Sequence, residues 1–294
     1  MNVLVFGATG YVGSAVVDRL LAAGHEPVGA VRKEHGRDLA GIVTVPADLA
    51  DPASVRTVIT PDIDAVVHAA APGGNWDAEQ AAVEAMLTAL AGTNRALIYT
   101  SGVWVLGVTG PGGADENSPA NPAWISAGRP AIERQVQAAA ERGVRGIVIR
   151  PGIVHGRGGG IPALMVGWAR QAGTGRYVGD PGTHWPMVHV EDLADLFLLA
   201  AEQAPPGWLV HGVAEPAVAV TALAQAADLA VGGPGRCAAW PVSEAADALG
   251  APFAQALAMD QIVCTIRAAG LGWRPGGIGA VDDLRSGSYV TPGI

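Results

Sequence analysis

Short apolar runs alternate with helical patterns along the first half of the chain. The run from Asn2 to Phe6 is rich in β-branched and apolar residues and is followed by a glycine, which is typical of a strand buried on both faces. Five further runs have this character, and segments with apolar residues at helical spacing separate most of them. The predicted strands are 2–6, 27–31, 42–45, 65–68, 96–100 and 146–150, and the predicted helices between them are 14–23, 77–90 and 129–141.

Strands that alternate with helices predict an α/β protein, with a doubly wound parallel sheet of the Rossmann type. The second half is less regular, and its predicted helices are 163–171, 190–201, 218–230 and 243–259. We therefore predict a dinucleotide-binding domain over 1–150, to which 186–215 returns. A smaller C-terminal substrate lobe is predicted from 151–185 and 216–294.

Composition narrows the function classes. Half of the 294 residues are hydrophobic and 15% are charged, which excludes a disordered chain. The net charge of -9 disfavours nucleic acid as a partner. We find no signal-peptide pattern and no uncharged apolar run of about 18 residues, so no membrane partner is expected. Two cysteines are typical of a reduced, cytoplasmic protein.

A glycine-rich turn follows the first predicted strand and opens the first helix. Its glycines, Gly7, Gly10 and Gly13, have the spacing that lets a pyrophosphate approach the backbone amides at a helix N-terminus. The alternative is a glycine-rich turn without a ligand. The predicted cofactor contacts of this turn are Gly7, Thr9, Gly10, Tyr11, Val12 and Gly13.

The residues at the end of the second predicted strand indicate which of the two nicotinamide dinucleotides is preferred. A carboxylate there would bind the ribose 2′-hydroxyl of NAD, but the chain has Arg32 and Lys33. Two cations favour a 2′-phosphate, so we predict NADP(H) as the preferred cofactor, with NAD(H) as the alternative. The two cations would otherwise be a solvated strand end.

Several ordered motifs resemble the extended short-chain dehydrogenases/reductases of the NAD(P)-dependent epimerase/dehydratase kind. They are GATGYVG at 7–13, ADLAD at 47–51, HAAAP at 68–72, YTSG at 99–102, RPGIVHG at 150–156, VHVEDLA at 188–194 and LGWRP at 271–275. The resemblance implies that Asp48 and Leu49 flank the adenine and that Pro151 and Val154 touch the nicotinamide region. It also implies that Ala69, Ala70 and Ala71 line the ribose and nicotinamide side.

The chain departs from this family at the catalytic motif YxxxK. Its only lysine is Lys33, and no lysine stands four positions after any of its four tyrosines. Alignment on Glu133 places Arg129 at the lysine position and Ile125 at the tyrosine position. The family serine position falls on Gly102, one residue after Ser101. The resemblance therefore implies an atypical member, in which Arg129 either pairs with Glu133 or holds a cofactor ribose.

Tryptophans bear on the substrate. Trp185 stands where members that act on sugar nucleotides carry an arginine, and Trp104 and Trp124 map near the same cleft. We therefore predict a small, apolar or aromatic substrate; the alternative is that these tryptophans are ordinary buried aromatics.

Three side chains are candidates for proton transfer: Ser101, His155 and Tyr177, with water as a further option. Ser101 is also a predicted cofactor contact, and Tyr177 is also a predicted substrate contact. For His155 and Tyr177 a structural role is the alternative. No metal site is expected, since the sequence has no HExxH and no CxxC.

The leading functional prediction is an atypical NADP(H)-dependent oxidoreductase or isomerase. A homodimer is one option for its oligomeric state. The alternative is a non-catalytic protein that senses NADP(H) or binds a partner.

Overall fold

The computed structural model describes residues 1–32, 41–70 and 74–290. The strands in these ranges are β1 (Asn2–Phe6), β2 (Glu26–Val31), β3 (Val43–Pro46), β4 (Ala65–His68), β5 (Ala96–Thr100), β6 (Arg145–Pro151), β7 (Ile153–His155), β8 (Gly175–Val178), β9 (His184–His189), β10 (Trp208–Gly212), β11 (Glu215–Ala219) and β12 (Cys237–Trp240).

Helices connect most of the strands. They are α1 (Tyr11–Ala22), α2 (Pro52–Thr57), α3 (Trp76–Leu90), α4 (Arg129–Gln137), α5 (Gly160–Ala172), α6 (Val190–Gln203), α7 (Val220–Ala230), α8 (Val242–Leu249), α9 (Ala251–Leu257) and α10 (Ala280–Ser286). Across the described ranges, none of them is both long enough and apolar enough to span a membrane.

Seven strands form one parallel sheet in the order β10-β6-β5-β4-β1-β2-β3. This order confirms the prediction of a doubly wound Rossmann-type fold. Phe6 pairs with His68, and His68 pairs with Tyr99, so β1, β4 and β5 end at the same edge of the sheet. Ligands of this fold bind outside that carboxyl edge, where the strand order reverses.

The sheet is covered on both faces. Val3 and Val5 pack on one side in a core that includes α1 and α6. Leu4 and Phe6 point to the opposite side, where α3 and α4 cover the sheet. Successive strand side chains alternate between faces, so a strand covered on both sides has a continuous apolar sequence.

A second group of elements lies beyond the carboxyl edge. It contains a three-stranded sheet of order β11-β9-β7 and the parallel pair β12-β8. The helices α5, α7, α8, α9 and α10 pack around these strands over a separate hydrophobic core. The domain boundaries given above stay a prediction.

Three predicted helices differ from the observed elements. The segment 243–259 is divided into α8 and α9, because Gly250 has φ +88° and begins a new helix with proline in its first turn. The segment 218–230 starts in β11 before α7, and 129–141 ends α4 at Gln137 and continues as a 3-10 turn over 138–142.

Candidate functional site

The glycine turn leaves space and unpaired amides for an anionic ligand. Gly7 has φ +86°, and a Cβ there would lie 2.7 Å from the Ala70 amide nitrogen. A Cβ on Gly13 would lie 2.0 Å from the Gly7 carbonyl oxygen, so α1 can approach the turn only with glycine at that position. No side chain caps the first turn of α1. The amides there can therefore receive a phosphate, and the turn fits the pyrophosphate of a dinucleotide.

A cavity of about 520 Å³ lies between this turn and the ends of β2 and β3. We call it the β2 cavity. Six of the predicted cofactor contacts line it, namely Gly7, Thr9, Arg32, Asp48, Leu49 and Ala70. Arg32 is exposed at the tip of β2, and it follows the last residue of that strand directly. Lys33 and Ala71 lie outside the described residues.

A second cavity, of about 640 Å³, lies farther along the same edge. We call it the tryptophan cavity, because Trp76, Trp104 and Trp124 line it. Eight predicted site residues are brought together in its wall, namely Tyr11, Val12, Ser101, Trp104, Trp124, Arg129, Pro151 and Val154. The structure therefore gathers the predicted nicotinamide contacts and two of the three predicted substrate tryptophans around one space.

Aromatic side chains shape this cavity. The ring of Trp104 meets that of Phe253 from α9 edge-on, with 6.1 Å between centroids. Trp124 lies in a 3-10 turn and is 72% exposed, so its indole is open to solvent. Pockets that bind small ligands are lined mostly by hydrophobic and aromatic side chains, so this cavity suits an apolar or aromatic ligand.

Arg129 is the cation of the tryptophan cavity. Its Nη1 donates to the Thr100 carbonyl oxygen at 2.6 Å, and its guanidinium carbon lies 5.8 Å from the centre of the Trp76 ring. The expected option of a pair between Arg129 and Glu133 is not realised, because Glu133 binds Arg150 instead. In the described part of the chain, Arg129 forms no salt bridge.

A buried carboxylate lies in the same wall. Glu79 on α3 is 1% exposed, and its Oε1 accepts a hydrogen bond from the Tyr99 hydroxyl at 2.6 Å. Burial raises the pKa of Tyr99 above its ordinary value, so the phenol stays protonated and donates. The other oxygen of Glu79, Oε2, has no hydrogen-bond partner among the described residues. The hydroxyls of Thr100 and Ser101 are likewise buried without one.

Sequence reasoning missed Trp76 and Glu79. A signal was present, because Trp76, Glu79, Val83, Met86 and Leu90 recur at the spacing of one helix face. Val83, Met86 and Leu90 are fully buried against the sheet. A glutamate within such an apolar stripe has to be buried, and a buried carboxylate needs a partner or a ligand.

His155 does not reach either cavity. It is 1% exposed, and its Nδ1 lies 3.2 Å from Asp283 Oδ2. Burial lowers the pKa of His155, which the hydrogen bond to Asp283 opposes. His189 is close enough that one ligand atom from each of His155, His189 and Asp283 falls within 4.8 Å of the others. His189 Nδ1 already accepts from the Glu191 amide at the start of α6, so hydrogen bonding accounts for this cluster.

Tyr177 and Trp185 also lie in the core of the second group of elements, not in a cavity wall. Trp185 is 2% exposed, and its indole nitrogen donates to the Leu257 carbonyl oxygen at 3.0 Å. Tyr177 lies in β8 and packs in the same core. A buried tryptophan needs a partner for its N–H, and the backbone near α9 provides one.

A glycine turn, a switch in strand order above it and two cavities along the carboxyl edge define a dinucleotide-binding α/β protein. The model of the NAD dependent epimerase/dehydratase family matches residues 3–210, and the chain belongs to that family. The predicted resemblance is thereby confirmed, as is an oxidoreductase-like fold that binds nicotinamide dinucleotides.

Relatives span much of the chain. An uncharacterized protein of Schizosaccharomyces pombe is 32% identical over 240 residues, which are 76% of this chain and 78% of the relative. The 2-alkyl-3-oxoalkanoate reductase of Stenotrophomonas maltophilia is 28% identical, over 73% of this chain and 69% of that enzyme. The crystal structure of human epimerase family protein SDR39U1 with NADPH has a TM-score of 0.75 and 23% identity, with 98% of each chain covered.

Proposed function

We propose that the protein is an NADP(H)-dependent oxidoreductase or isomerase that acts on a small apolar or aromatic substrate without the usual tyrosine and lysine. The observation that carries this proposal is the arrangement of the two cavities. The β2 cavity adjoins the glycine turn, and the tryptophan cavity follows on the same sheet edge. A dinucleotide that lies along this edge would extend from the first to the second.

Residues of both cavities would hold the cofactor. The amides that begin α1 would bind the pyrophosphate, Arg32 the 2′-phosphate, and Asp48 and Leu49 the adenine side. Pro151 and Val154 would border the nicotinamide, which when bound supplies or accepts a hydride. The NADPH in the structure of human SDR39U1 and the reductase activity named for the Stenotrophomonas relative support this assignment.

Arg129 would carry the electrostatic part of the chemistry. A guanidinium cannot donate a proton at neutral pH, but it can stabilise negative charge on a substrate oxygen or bind a ribose hydroxyl. Ser101 lies next to the position at which the family has its serine, and its hydroxyl or a water would pass the proton. Ile125, at the family tyrosine position, lines the cavity with an apolar side chain.

Cofactor titration tests the first part of the proposal. We expect NADPH to bind at least about 10-fold more tightly than NADH, since one charge-assisted contact contributes roughly 1.5–3 kcal/mol. The variant Arg32→Ser should reduce this ratio, whereas Arg134→Ser, which changes an exposed arginine of α4, should leave it unchanged. Equal binding of NADPH and NADH to the unaltered protein would contradict the preference.

Single-turnover oxidation of bound NADPH tests the second part. A panel of enones, quinones and ketones with apolar or aromatic bodies should contain compounds that oxidise the cofactor. The second candidate function is a non-catalytic NADP(H) sensor, and the isoleucine at the tyrosine position favours it. Tight NADPH binding without turnover on the whole panel would support the sensor over the enzyme.

A further inference from the structure

We infer that Glu79 is a specificity-determining residue of the tryptophan cavity, and that the ligand of this cavity carries an O–H or N–H donor on an apolar aromatic body. The inference rests on the proposed function, because it concerns the substrate class of the same site. It adds a residue that the epimerase/dehydratase motifs in this chain do not include.

The fold fixes the Glu79 carboxylate at the cavity wall. Glu79 lies in the first turn of α3, three residues after Trp76 and on the same helix face. Both residues line the tryptophan cavity. From the side of the sheet, the Tyr99 hydroxyl binds Oε1 at 2.6 Å. The carboxylate is therefore held by one oxygen, while its other oxygen is buried without a hydrogen-bond partner among the described residues.

Because Glu79 Oε2 is buried, the absence of a hydrogen bond to it is unfavourable in free energy. An unsatisfied buried acceptor costs about 1–3 kcal/mol, and more if it is charged. The arginine of the cavity wall, Arg129, does not satisfy it, since Arg129 and Glu79 form no salt bridge within the described ranges and Arg129 Nη1 donates to the Thr100 carbonyl. A ligand that brings a donor to Glu79 Oε2 would recover this energy.

The Ser101 hydroxyl is a second buried polar group of the tryptophan cavity. Ser101 directly follows the last residue of β5, two residues after Tyr99. Its Oγ is buried without a partner among the described residues and lines the cavity. A hydroxyl both donates and accepts. The cavity wall thus contains an acceptor, Glu79, for a ligand O–H and a hydroxyl, Ser101, that can donate to or accept from a polar group of the ligand.

The surroundings restrict the rest of the ligand. The other side chains that line the cavity are mostly apolar and include Trp76, Trp104, Trp124 and Ile125. A site that binds a ligand hydroxyl rejects the matching analogue without it, because the buried acceptor is then left unsatisfied. An apolar aromatic compound with a free hydroxyl should therefore bind much more tightly than its methyl ether.

The test compares 2-naphthol with 2-methoxynaphthalene by calorimetry on the full chain, saturated with NADP+ and again without cofactor. We expect at least a 10-fold preference for 2-naphthol in the unaltered protein. The variant Glu79→Leu should reduce this ratio toward one. The control Tyr99→Phe keeps the carboxylate and should retain the preference, and circular dichroism verifies that each variant folds.

Three results would overturn the inference: no binding of either compound, a ratio near one in the unaltered protein, or an unchanged ratio in Glu79→Leu. A ratio near one would mean that a bound water satisfies Glu79. Failure of the proposed function is a separate result, because it would appear as absent NADP+ binding while the naphthol ratio is still measured on the cofactor-free protein.

Discussion

Arg150 donates to both carboxylate oxygens of Glu133, from Nε at 2.9 Å and from Nη2 at 2.6 Å. The two side chains are only 5% and 3% exposed, and they tie β6 to α4. Arg129 lies one turn earlier on α4, and it lines the tryptophan cavity without a bond to Glu133. Arg150 is therefore a structural cation paired with Glu133, whereas Arg129 has no carboxylate partner in the described part of the chain and can contact a ligand.

Removal of one partner from this pair should strongly destabilise the fold. The variant Glu133→Leu leaves the Arg150 guanidinium buried without its counter-ion, and we expect a loss of about 3–5 kcal/mol in the free energy of unfolding. The matched control is Glu84→Gln, since Glu84 pairs with Arg142 at the surface. That change should cost less than about 1 kcal/mol. Urea unfolding measures both, and similar losses would contradict the prediction.

Arg129 should contribute less to stability and more to ligand binding. Since it has one hydrogen bond to the Thr100 carbonyl and no ion pair in the described part of the chain, Arg129→Met should lower the free energy of unfolding by at most about 1.5–3 kcal/mol, which is less than the loss expected for Glu133→Leu. It should weaken NADPH binding by about 10-fold or more, because a charged donor to the ligand is lost. Calorimetric titration measures the affinity.

Two further variants control this prediction. Arg129→Lys keeps the charge and should restore part of the affinity, although a lysine lacks the planar fork of arginine. Arg134→Met changes an exposed arginine of the same helix and should bind NADPH like the unaltered protein. Full NADPH affinity in Arg129→Met would remove Arg129 from the proposed cofactor or substrate contacts.

The sheet could be predicted from sequence because each central strand is buried on both faces. Residues 3–6 of β1 are apolar without interruption, and so are the residues 65–67 of β4 that pair with three of them. The short strands of the second half have no such pattern. In the segment 218–230, apolar residues at helical spacing continue across the boundary between β11 and α7, so periodicity alone placed the helix start too early.

The site was predictable where a motif fixes the backbone and not where only the residue type was known. The spacing of Gly7 and Gly13 in the sequence is enough to predict that they form the tight turn before α1. A tryptophan at position 185 is compatible with either a core or a cavity wall. It lies in the core, where its indole N–H donates to the carbonyl of Leu257, 72 residues away along the chain. The apolar stripe of α3 indicates that Glu79 is buried, but its partner Tyr99 and its place in the cavity wall depend on contacts between separate elements, which the sequence pattern does not contain.

Gly13 should tolerate no side chain. In Gly13→Ala the new Cβ would meet the Gly7 carbonyl oxygen, and backbone cannot move away cheaply. We expect a loss of about 1–3 kcal/mol or more in the free energy of unfolding, together with loss of NADPH binding. The control is Gly167→Ala in α5, where a Cβ meets nothing within 4 Å. That change should be neutral or stabilising by up to about 1 kcal/mol.

His68 provides a prediction for acid conditions. Its ring lies between Phe6 and Tyr99, and neither ring nitrogen has a partner among the described residues. Burial, with a smaller contribution from the Arg129 charge, lowers the pKa of His68 from 6.5 to about 4. The folded protein therefore binds this proton less readily than the unfolded chain does.

The sign of the pH dependence follows from this difference. Between the two pKa values the unfolded chain holds more protons, so stability is full above about pH 6.5 and falls as the pH drops toward 4. The contribution of His68 to this fall between about pH 7 and pH 4.5 is on the order of 2 kcal/mol. His68→Phe removes the titrating group and should lose that much less stability over the same range, as measured by urea unfolding at both pH values. His68→Leu should act likewise, and an unchanged fall in both variants would show that other groups account for the acid sensitivity.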